Sequence, residues 1–407
     1  MKNYFLSAVA LMFCGSMVFA QSNNSKTEQE GSGNLALVAQ SGNLNKSRVY
    51  QNDQNRATTG GVDNRAFVSQ TGFRNNSLIK SAGDRNLAEV TQEGRRNDAE
   101  IDQGVGWAED NSATVDQLGR RNTSYQKQRY DNNTAEVDQD GNDNSAVQDQ
   151  STGTNADPGS DAYARQNGND NESTQTQRGR LNDADVNQDG NGNMATQTQT
   201  GDFNRADSDQ DGNGNVSTQT DDGLWNWSFT DQTGDNNTST QSQTGIWHDA
   251  FVDQNGNGNT ATQTQTGGDF GQGNWAVSDQ DGDNNTSDQI QNGLDNTATI
   301  TQDGNGNYAG QGQDGDDNLA ETTQIGNGNF AGSLQLGDIN ESDILQRGDS
   351  NGALTFQGGV DNYTRVRQRG NGNGAASAQL GASHFSVIKQ TGNGNIAATL
   401  QVGGLPF

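Results

Sequence analysis

The sequence is poor in the residues on which most globular domains and enzymes depend. Only 28% of its 407 residues are hydrophobic, and it contains 2 Pro, 2 His and 1 Cys. An ordinary globular domain is roughly 45–50% apolar, so the composition argues against a conventional globule of this length. A single Cys excludes a disulfide framework. With so few His and Cys residues for chemistry, we predict that the chain is not an enzyme and needs no cofactor.

Positive charge is also scarce. Lys and Arg number 24 against 52 Asp and Glu, so the formal net charge is -28. The sign of this charge excludes a basic nucleic-acid-binding surface. The excess is concentrated in an acidic centre, residues 131–340, whose net charge is -31. We interpret this centre as a solvated surface that discourages premature aggregation.

Long apolar runs are confined to the start of the chain. Lys2 precedes the apolar stretch 4–19, and residues 18–20 (Val-Phe-Ala) resemble a cleavage site. Residues 1–20 therefore predict a signal peptide and an exported protein. A lipoprotein anchored at Cys14 is the alternative, but the bulky Phe13 before it argues against that. No other stretch approaches the ~20 apolar residues of a membrane span.

What the sequence has in abundance is a short repeat. The pattern Asn-x-Ala/Ser-x-x-x-Gln-x-Gly recurs so that its Gln slot falls at 34 positions, 31 of which hold Gln. Of the 33 intervals between slots, 29 are 11 residues long. The slots without Gln are Thr59, Ser81 and Asp221. A fixed period of this kind is typical of repeat architectures.

Each unit is predicted to form one strand and one turn. Strand side chains alternate, so Asn86, Ala88 and Gln92 share one face, which we expect to be buried. Two units make a 22-residue rung, and stacked rungs are predicted to form an all-β, flattened solenoid of about 17 rungs. We expect this solenoid to span residues 34–407 and to follow a leader or weak first repeat at 21–33. Asn and Gln stacked at the strand spacing can hydrogen-bond along ladders. The ladder positions include Asn86, Ala88, Gln92, Asn97, Gln103, Gln139, Gln188, Gln210, Gln302 and Gln346.

A second period supports the 22-residue rung. The slot two residues before the repeat Gln is again Gln on alternate strands, as at Gln126 and Gln148, and is mostly small or β-branched on the others. The three long intervals begin at Gln103, Gln150 and Gln265. All three glutamines lie on even-numbered repeats when the repeat at Gln29 is counted as the first. We therefore expect their extra loops to emerge from one edge of the solenoid.

The repeat resembles a known family. The unit from Gln139 to Gln150, Gln-Asp-Gly-Asn-Asp-Asn-Ser-Ala-Val-Gln-Asp-Gln, is similar to the curlin repeat, and the likeness covers nearly the whole mature chain. Curlins are the secreted subunits of curli, which are bacterial functional amyloid fibres. The resemblance implies export through an outer-membrane secretion pore of a Gram-negative-type bacterium, nucleation by a nucleator subunit, self-assembly at the cell surface, and roles in biofilm matrix and adhesion.

One column of carboxylates is a candidate cation site. Asp209, Asp231 and Asp253 precede the repeat Gln on successive rungs. In register they would stand ~4.8 Å apart and repel one another. Proximity raises carboxylate pKa values, so protonation or bound Ca²⁺ is expected to relieve the repulsion.

Two other functions are open at this point. A two-column Thr array on alternate strands, of the kind found on ice-binding solenoids, is formed by Thr174, Thr196, Thr218, Thr240 and Thr262 with their Thr neighbours. A monomeric, ligand-binding adhesin is the other alternative, and the aromatic residues Trp227, Phe229, Phe251 and Trp275 are candidates for its surface. His248 and His384 both occupy the Asn slot, so we predict structural roles for them.

Overall fold

The computed structural model describes residues 22–51, 61–105, 108–152 and 158–403, so the predicted signal peptide lies outside the described residues. These residues form 33 β-strands in two sheets. The odd-numbered strands form one sheet: β1 Asn24–Gln29, β3 Lys46–Gln51, β5 Asn76–Ser81, β7 Asp98–Val105, β9 Thr123–Arg129, β11 Ser145–Ser151, β13 Glu172–Arg178, β15 Met194–Asp202, β17 Val216–Leu224, β19 Thr238–Ile246, β21 Thr260–Gly267, β23 Thr286–Gly293, β25 Tyr308–Asp314, β27 Phe330–Leu336, β29 Gly352–Val360, β31 Gly374–Ala382 and β33 Ile396–Gly403. The even-numbered strands form the other: β2 Leu35–Asn43, β4 Arg65–Phe73, β6 Leu87–Arg95, β8 Ser112–Arg120, β10 Thr134–Asn142, β12 Asp161–Asn169, β14 Asp183–Asn191, β16 Arg205–Asn213, β18 Trp227–Thr233, β20 Asp249–Asn255, β22 Trp275–Asp281, β24 Thr297–Asp303, β26 Leu319–Ile325, β28 Glu341–Arg347, β30 Tyr363–Arg369 and β32 Phe385–Thr391.

The chain coils so that each strand pairs in parallel with the strand two places further along. β1 pairs with β3 and β2 with β4, and in most of the stack facing residues are 22 positions apart, as Gln70 and Gln92 are. The predicted all-β flattened solenoid with two strands per rung is confirmed. Its sheets contain 17 and 16 strands, which makes 16 complete rungs and one further strand. The described residues include no helix, and hence none that is long and apolar enough to cross a membrane.

One predicted strand is absent from the pairing. The sequence places a repeat slot at Thr59, so that Gln40 would face Thr59 and Gln51 would face Gln70. Instead β2 pairs directly with β4 and β3 with β5, which sets Gln40 against Gln70 and Gln51 against Ser81. No rung lies between these pairs, so the predicted register, with Gln40 facing Thr59 and Gln51 facing Gln70, is wrong. Thr59 itself lies outside the described residues.

The longer connections all leave the same sheet. They follow β3, β7, β11 and β21, so each crosses from the odd to the even sheet, and the prediction of one common edge for the three long loops is confirmed. The fully described loop after β21 is closed by an antiparallel bridge between Asp269 and Gln272. β21, which precedes this loop, still pairs with β23 so that Gln265 faces Gln291. The insertion therefore does not disturb the strand register.

The core is the narrow space between the two sheets, and it is lined by the predicted face of each strand. Ala88 and Val90 are fully buried between Asn86 and Gln92. Small Ala and Ser side chains allow close approach of the sheets. Buried aliphatic side chains cluster in two places, between Val49 and Ala164 and between Ala331 and Ile388. Between these two apolar ends the core depends largely on amide and hydroxyl groups.

The turn glycines stack as tightly as the strands. Gly141 has a φ of 130°, a conformation that L side chains rarely adopt. A Cβ atom added to Gly141 would lie only 1.8 Å from the carbonyl oxygen of Gly168 on the next rung. Where a Gly stands two residues after the repeat Gln, as Gly141 does, it is therefore required both by its backbone conformation and by the close approach of neighbouring turns.

Candidate functional site

The candidate functional site is a set of hydrogen-bonded ladders of side-chain amides inside the solenoid. At the terminal rungs these ladders lack hydrogen-bond partners. In the even sheet, Nε2 of Gln92 donates to the Asn76 carbonyl of the opposite sheet at 2.9 Å and to Oε1 of Gln117 on the next rung at 2.8 Å. A buried amide left unpaired would cost about 1–3 kcal/mol, so this double use of Nε2 stabilises the stack. Both types of bond are also made by the predicted ladder residues Gln103, Gln139, Gln188, Gln210, Gln302 and Gln346.

The Gln ladders are polar along the solenoid axis. Where two repeat glutamines pair, Nε2 of the earlier residue donates to Oε1 of the later one, from Gln29 in β1 to Gln379 in β31. At the C-terminal end, Nε2 of Gln390 and of Gln401 each donates to a single carbonyl. At the N-terminal end, Oε1 of Gln29 and of Gln40 accepts no hydrogen bond from any described residue. One end of the stack therefore has spare amide donors and the other has spare acceptors.

The Asn column bonds mainly to the main chain. Oδ1 of Asn86 accepts the backbone N–H of Asn111 on the next rung at 3.1 Å, and Nδ2 of Asn86 donates to the Ala108 carbonyl at 2.8 Å. Asn97 makes the equivalent contacts with its neighbouring rungs. Ala88, the remaining predicted ladder position, is fully buried between these columns. The Asn side chains thus fasten the turns, whereas the Gln side chains fasten the strands.

A third ladder runs through the odd sheet at the slot two residues before the repeat Gln. Nε2 of Gln175 donates to the Tyr163 and Ala184 carbonyls of the even sheet and to Oε1 of Gln197 on the next rung. These amides tie the two sheets together in the centre of the stack, where aliphatic packing is sparse. The ladder extends over Gln126, Gln148, Gln175, Gln197, Gln219, Gln241, Gln263, Gln289 and Gln311.

Asp221 interrupts the ladder of the odd sheet. It stands between Gln199 and Gln243 in the strand register and is buried. Its Oδ1 accepts a hydrogen bond of 2.5 Å from the Ser228 hydroxyl, and its Oδ2 has no partner. Burial raises the pKa of this carboxyl to about 7, against an ordinary value of 3.8. A carboxylate accepts but cannot donate, so an ionised Asp221 cannot replace the donor that a glutamine would supply to Gln243.

The column of aspartates lies on the outer face of the even sheet. Asp209 stands opposite Asp231, and Asp231 opposite Asp253. Burial, with smaller contributions from the charges of Asp253 and Asp209, raises the pKa of Asp231 to about 6. No group of three or more His, Cys, Asp or Glu side chains in the described part of the chain is arranged to hold a metal ion. Binding of Ca²⁺ to this column stays a prediction.

Two surface features were missed from the sequence. The first is a ladder of Asn and Asp on the turns: Oδ1 of Asp235 accepts the backbone N–H of Asn213, and Oδ1 of Asn257 accepts that of Asp235. Its signal is the Asn or Asp that directly follows the turn Gly at intervals of one rung. Both atoms of each bond are solvent-accessible, so this ladder stabilises the turn edge less than the buried ladders stabilise the strands.

The second missed feature is a stack of aromatic rings at the opposite edge. Phe203 and Trp225 stack with centroids 4.1 Å apart, and Trp225 and Trp247 with centroids 5.6 Å apart. The predicted surface aromatics lie on the adjoining even sheet, where Phe251 contacts Trp227 and Trp275. The 22-residue spacing of positions 203, 225 and 247 is the signal that identifies the stack. Rings stacked along the axis contribute to stability and leave their edges exposed.

The two histidines take the place of Asn. His248 is buried. Its Nε2 lies 3.2 Å from both the Thr244 and the Gly267 carbonyl oxygen, and its Nδ1 accepts the backbone N–H of Asn274. Burial lowers the pKa of His248, which favours this neutral form. Nε2 of His384 lies 3.0 Å from the Leu380 carbonyl oxygen near the end of β31. These contacts match those of the Asn column, as expected from the slot that both residues occupy.

Comparison with known families supports the sequence resemblance. The curlin associated repeat matches residues 61–94, 83–106, 293–321 and 315–348. A search of curated proteins found no similar chain. The first two matched segments lie in the N-terminal apolar part of the stack, and the other two span the end of the acidic centre. The same strand register continues between the two pairs of segments.

Proposed function

We propose that this chain, a curlin repeat protein, is a secreted structural subunit that assembles with itself into curli-like amyloid fibres at the bacterial surface. The curlin repeat belongs to structural rather than catalytic proteins, and the solenoid fits such a subunit. In the proposed role, the fibres contribute to biofilm matrix and adhesion. Export through an outer-membrane pore and initiation by a nucleator subunit are part of the proposal, as the family resemblance implies.

The observation that carries the proposal is the state of the terminal rungs. β1, β2, β32 and β33 each pair on one side only, so each has an edge without a strand partner among the described residues. Unpaired strand edges template the addition of further strands. The unsatisfied donors of Gln390 and Gln401 and the unsatisfied acceptors of Gln29 and Gln40 supply complementary ends for that addition.

Fibre formation by the purified mature chain tests the proposal directly. We expect a meridional reflection at ~4.7 Å from aligned fibres and growth that is accelerated by preformed seeds. Replacing Gln368, Gln379, Gln390 and Gln401 with Ala should slow elongation, because the growing end loses its amide donors. The control, Arg369→Ala with Thr391→Ala at exposed positions of β30 and β32, two of these four strands, should elongate normally. A chain that stays monomeric with seeds present would contradict the proposal.

The Thr array favours a second candidate, ice binding. On the odd sheet Thr174, Thr196 and Thr218 face one another in register, and Thr240 and Thr262 continue the column. Thr176, Thr198 and Thr220 form a parallel column beside it. Thermal hysteresis and faceted ice growth in the presence of the monomer would support this function. Replacing Thr196, Thr218 and Thr240 with Val, which keeps the β-branched shape, should abolish both effects if the hydroxyls bind ice.

A further inference from the structure

The number of strands sets how one copy must sit on the next. Each strand pairs with the strand two places along, so the next strand of the coil after β33 would pair with β32, and the one after that with β33. A second copy that continues the coil therefore places its β1 on β32 and its β2 on β33. Because β1 belongs to the odd sheet and β32 to the even sheet, the second copy has its sheets exchanged relative to the first.

We propose that successive copies in the fibre stack head to tail and are related by a half turn about the fibre axis, in addition to the twist of the solenoid itself. This inference rests on the proposed self-assembly. With the 33 strands of the described residues, each copy advances by 16.5 rungs, which is roughly 79 Å at ~4.8 Å per rung. An even number of strands would give no half turn.

The buried columns continue across this junction. Nε2 of Gln401 meets Oε1 of Gln40 of the next copy, and Nε2 of Gln390 meets Oε1 of its Gln29. Donors meet acceptors only when the C-terminal end of one copy contacts the N-terminal end of the other, because every interior pair has that same direction. Two N-terminal ends would instead place acceptors against acceptors. The ladders thus favour a polar fibre.

The outward side chains also match in the rotated arrangement. On β33, Ile396 is 90% exposed and Leu400 is 71% exposed in the single chain. In the proposed register Ile396 covers Leu35 of the next copy, and Lys389 on β32 stands beside its Glu28. Without the half turn, β33 would meet β1, so Leu400 would face Glu28, and one strand position of the even sheet would be left empty.

Labelled fibres test the half turn on the full chain. Phe270 is 70% exposed in the loop at one edge of the solenoid, so Phe270→Cys provides a site for a gold label. Electron microscopy should show labels on alternating edges of the fibre, about 79 Å apart along the axis. Labels that all lie on the same edge would overturn the inference while leaving self-assembly intact. An absence of fibres would overturn self-assembly and the inference together.

Two insertions after Gly403 provide a matched pair of variants. A second copy of residues 382–392 adds one strand, so labels should move to a single edge. A second copy of residues 382–403 adds two strands, so labels should still alternate, with a spacing longer by roughly 4.8 Å. If both insertions leave the wild-type pattern unchanged, the strand count does not determine the arrangement and the inference is wrong.

Discussion

The buried carboxyl of Asp221 makes the stability of the central rungs depend on pH. In the unfolded chain an aspartate releases its proton near pH 3.8, whereas in the solenoid Asp221 keeps its proton up to about pH 7. The folded state therefore binds more protons between these values, and it loses stability as the pH rises through them. At 1.36 kcal/mol per pKa unit, the loss at pH 8 is roughly 4 kcal/mol.

Replacing Asp221 with Gln should remove this loss. Its amide can accept from Gln199 and donate to Gln243, as in every neighbouring rung. We expect the gain in unfolding free energy to be small near pH 4, to grow as the pH rises, and to level off above pH 7 at roughly 4 kcal/mol. Urea unfolding at several pH values, followed by tryptophan fluorescence, measures this gain.

The control is the adjacent acid. Asp222→Asn removes the same charge from an exposed position, so it should change stability little at any pH. If Asp221→Gln were no more stable than wild type at pH 8, or if its gain were equal at pH 4 and pH 8, the buried carboxyl would not be the source of the effect.

Two further predictions concern the turns and the acidic column. Gly212→Ala should lower the unfolding free energy, measured by urea titration, by about 3 kcal/mol, because its Cβ would lie 2.0 Å from the Gly234 oxygen. The control is Gly192→Asn, at a position with a φ of 67° and no atom near the added Cβ, and it should be nearly neutral in the same titration. Assembly followed by dye fluorescence should be faster at pH 5 than at pH 7.5, because the raised pKa of Asp231 (about 6) means that protonation relieves the repulsion in the column. Changing Asp209, Asp231 and Asp253 to Asn should reduce both this pH response and any Ca²⁺ response, and unaltered responses would leave the acidity as a general solubility device.

The fold could be predicted from the sequence because one short pattern carries it. Strand alternation assigns Asn86, Ala88 and Gln92 to one face, and the 22-residue alternation of the inner Gln slot assigns successive strands to different sheets. The expected register of Gln40 was wrong for a physical reason. A repeat slot records only a few positions of a unit, whereas pairing depends on the whole strand, and β2 pairs directly with β4.

The bonding of the side chains could not be predicted in the same way. Asn and Gln carry the same amide group, and the repeat pattern does not reveal that Asn86 bonds mainly to the main chain of the turns, whereas Gln92 bonds both to another Gln and to a carbonyl of the opposite sheet. This difference comes from one methylene group, which lets Gln reach across the rung, and from the turn geometry around Asn. The turn ladder at Asp235 was missed for a related reason, since Asn and Asp at turns are commonly explained by backbone preference alone.

The loop between Gly267 and Asn274 has a consequence for engineering. The strands on either side of it pair in the normal register despite the seven-residue connection, with Gln265 facing Gln291 and Gln280 facing Gln302. We expect that a foreign peptide grafted there would project from the edge of the solenoid and leave the strand register unchanged. Because a solenoid repeats along one dimension, a polymer of such chains would display one graft per copy at a regular spacing along the fibre axis.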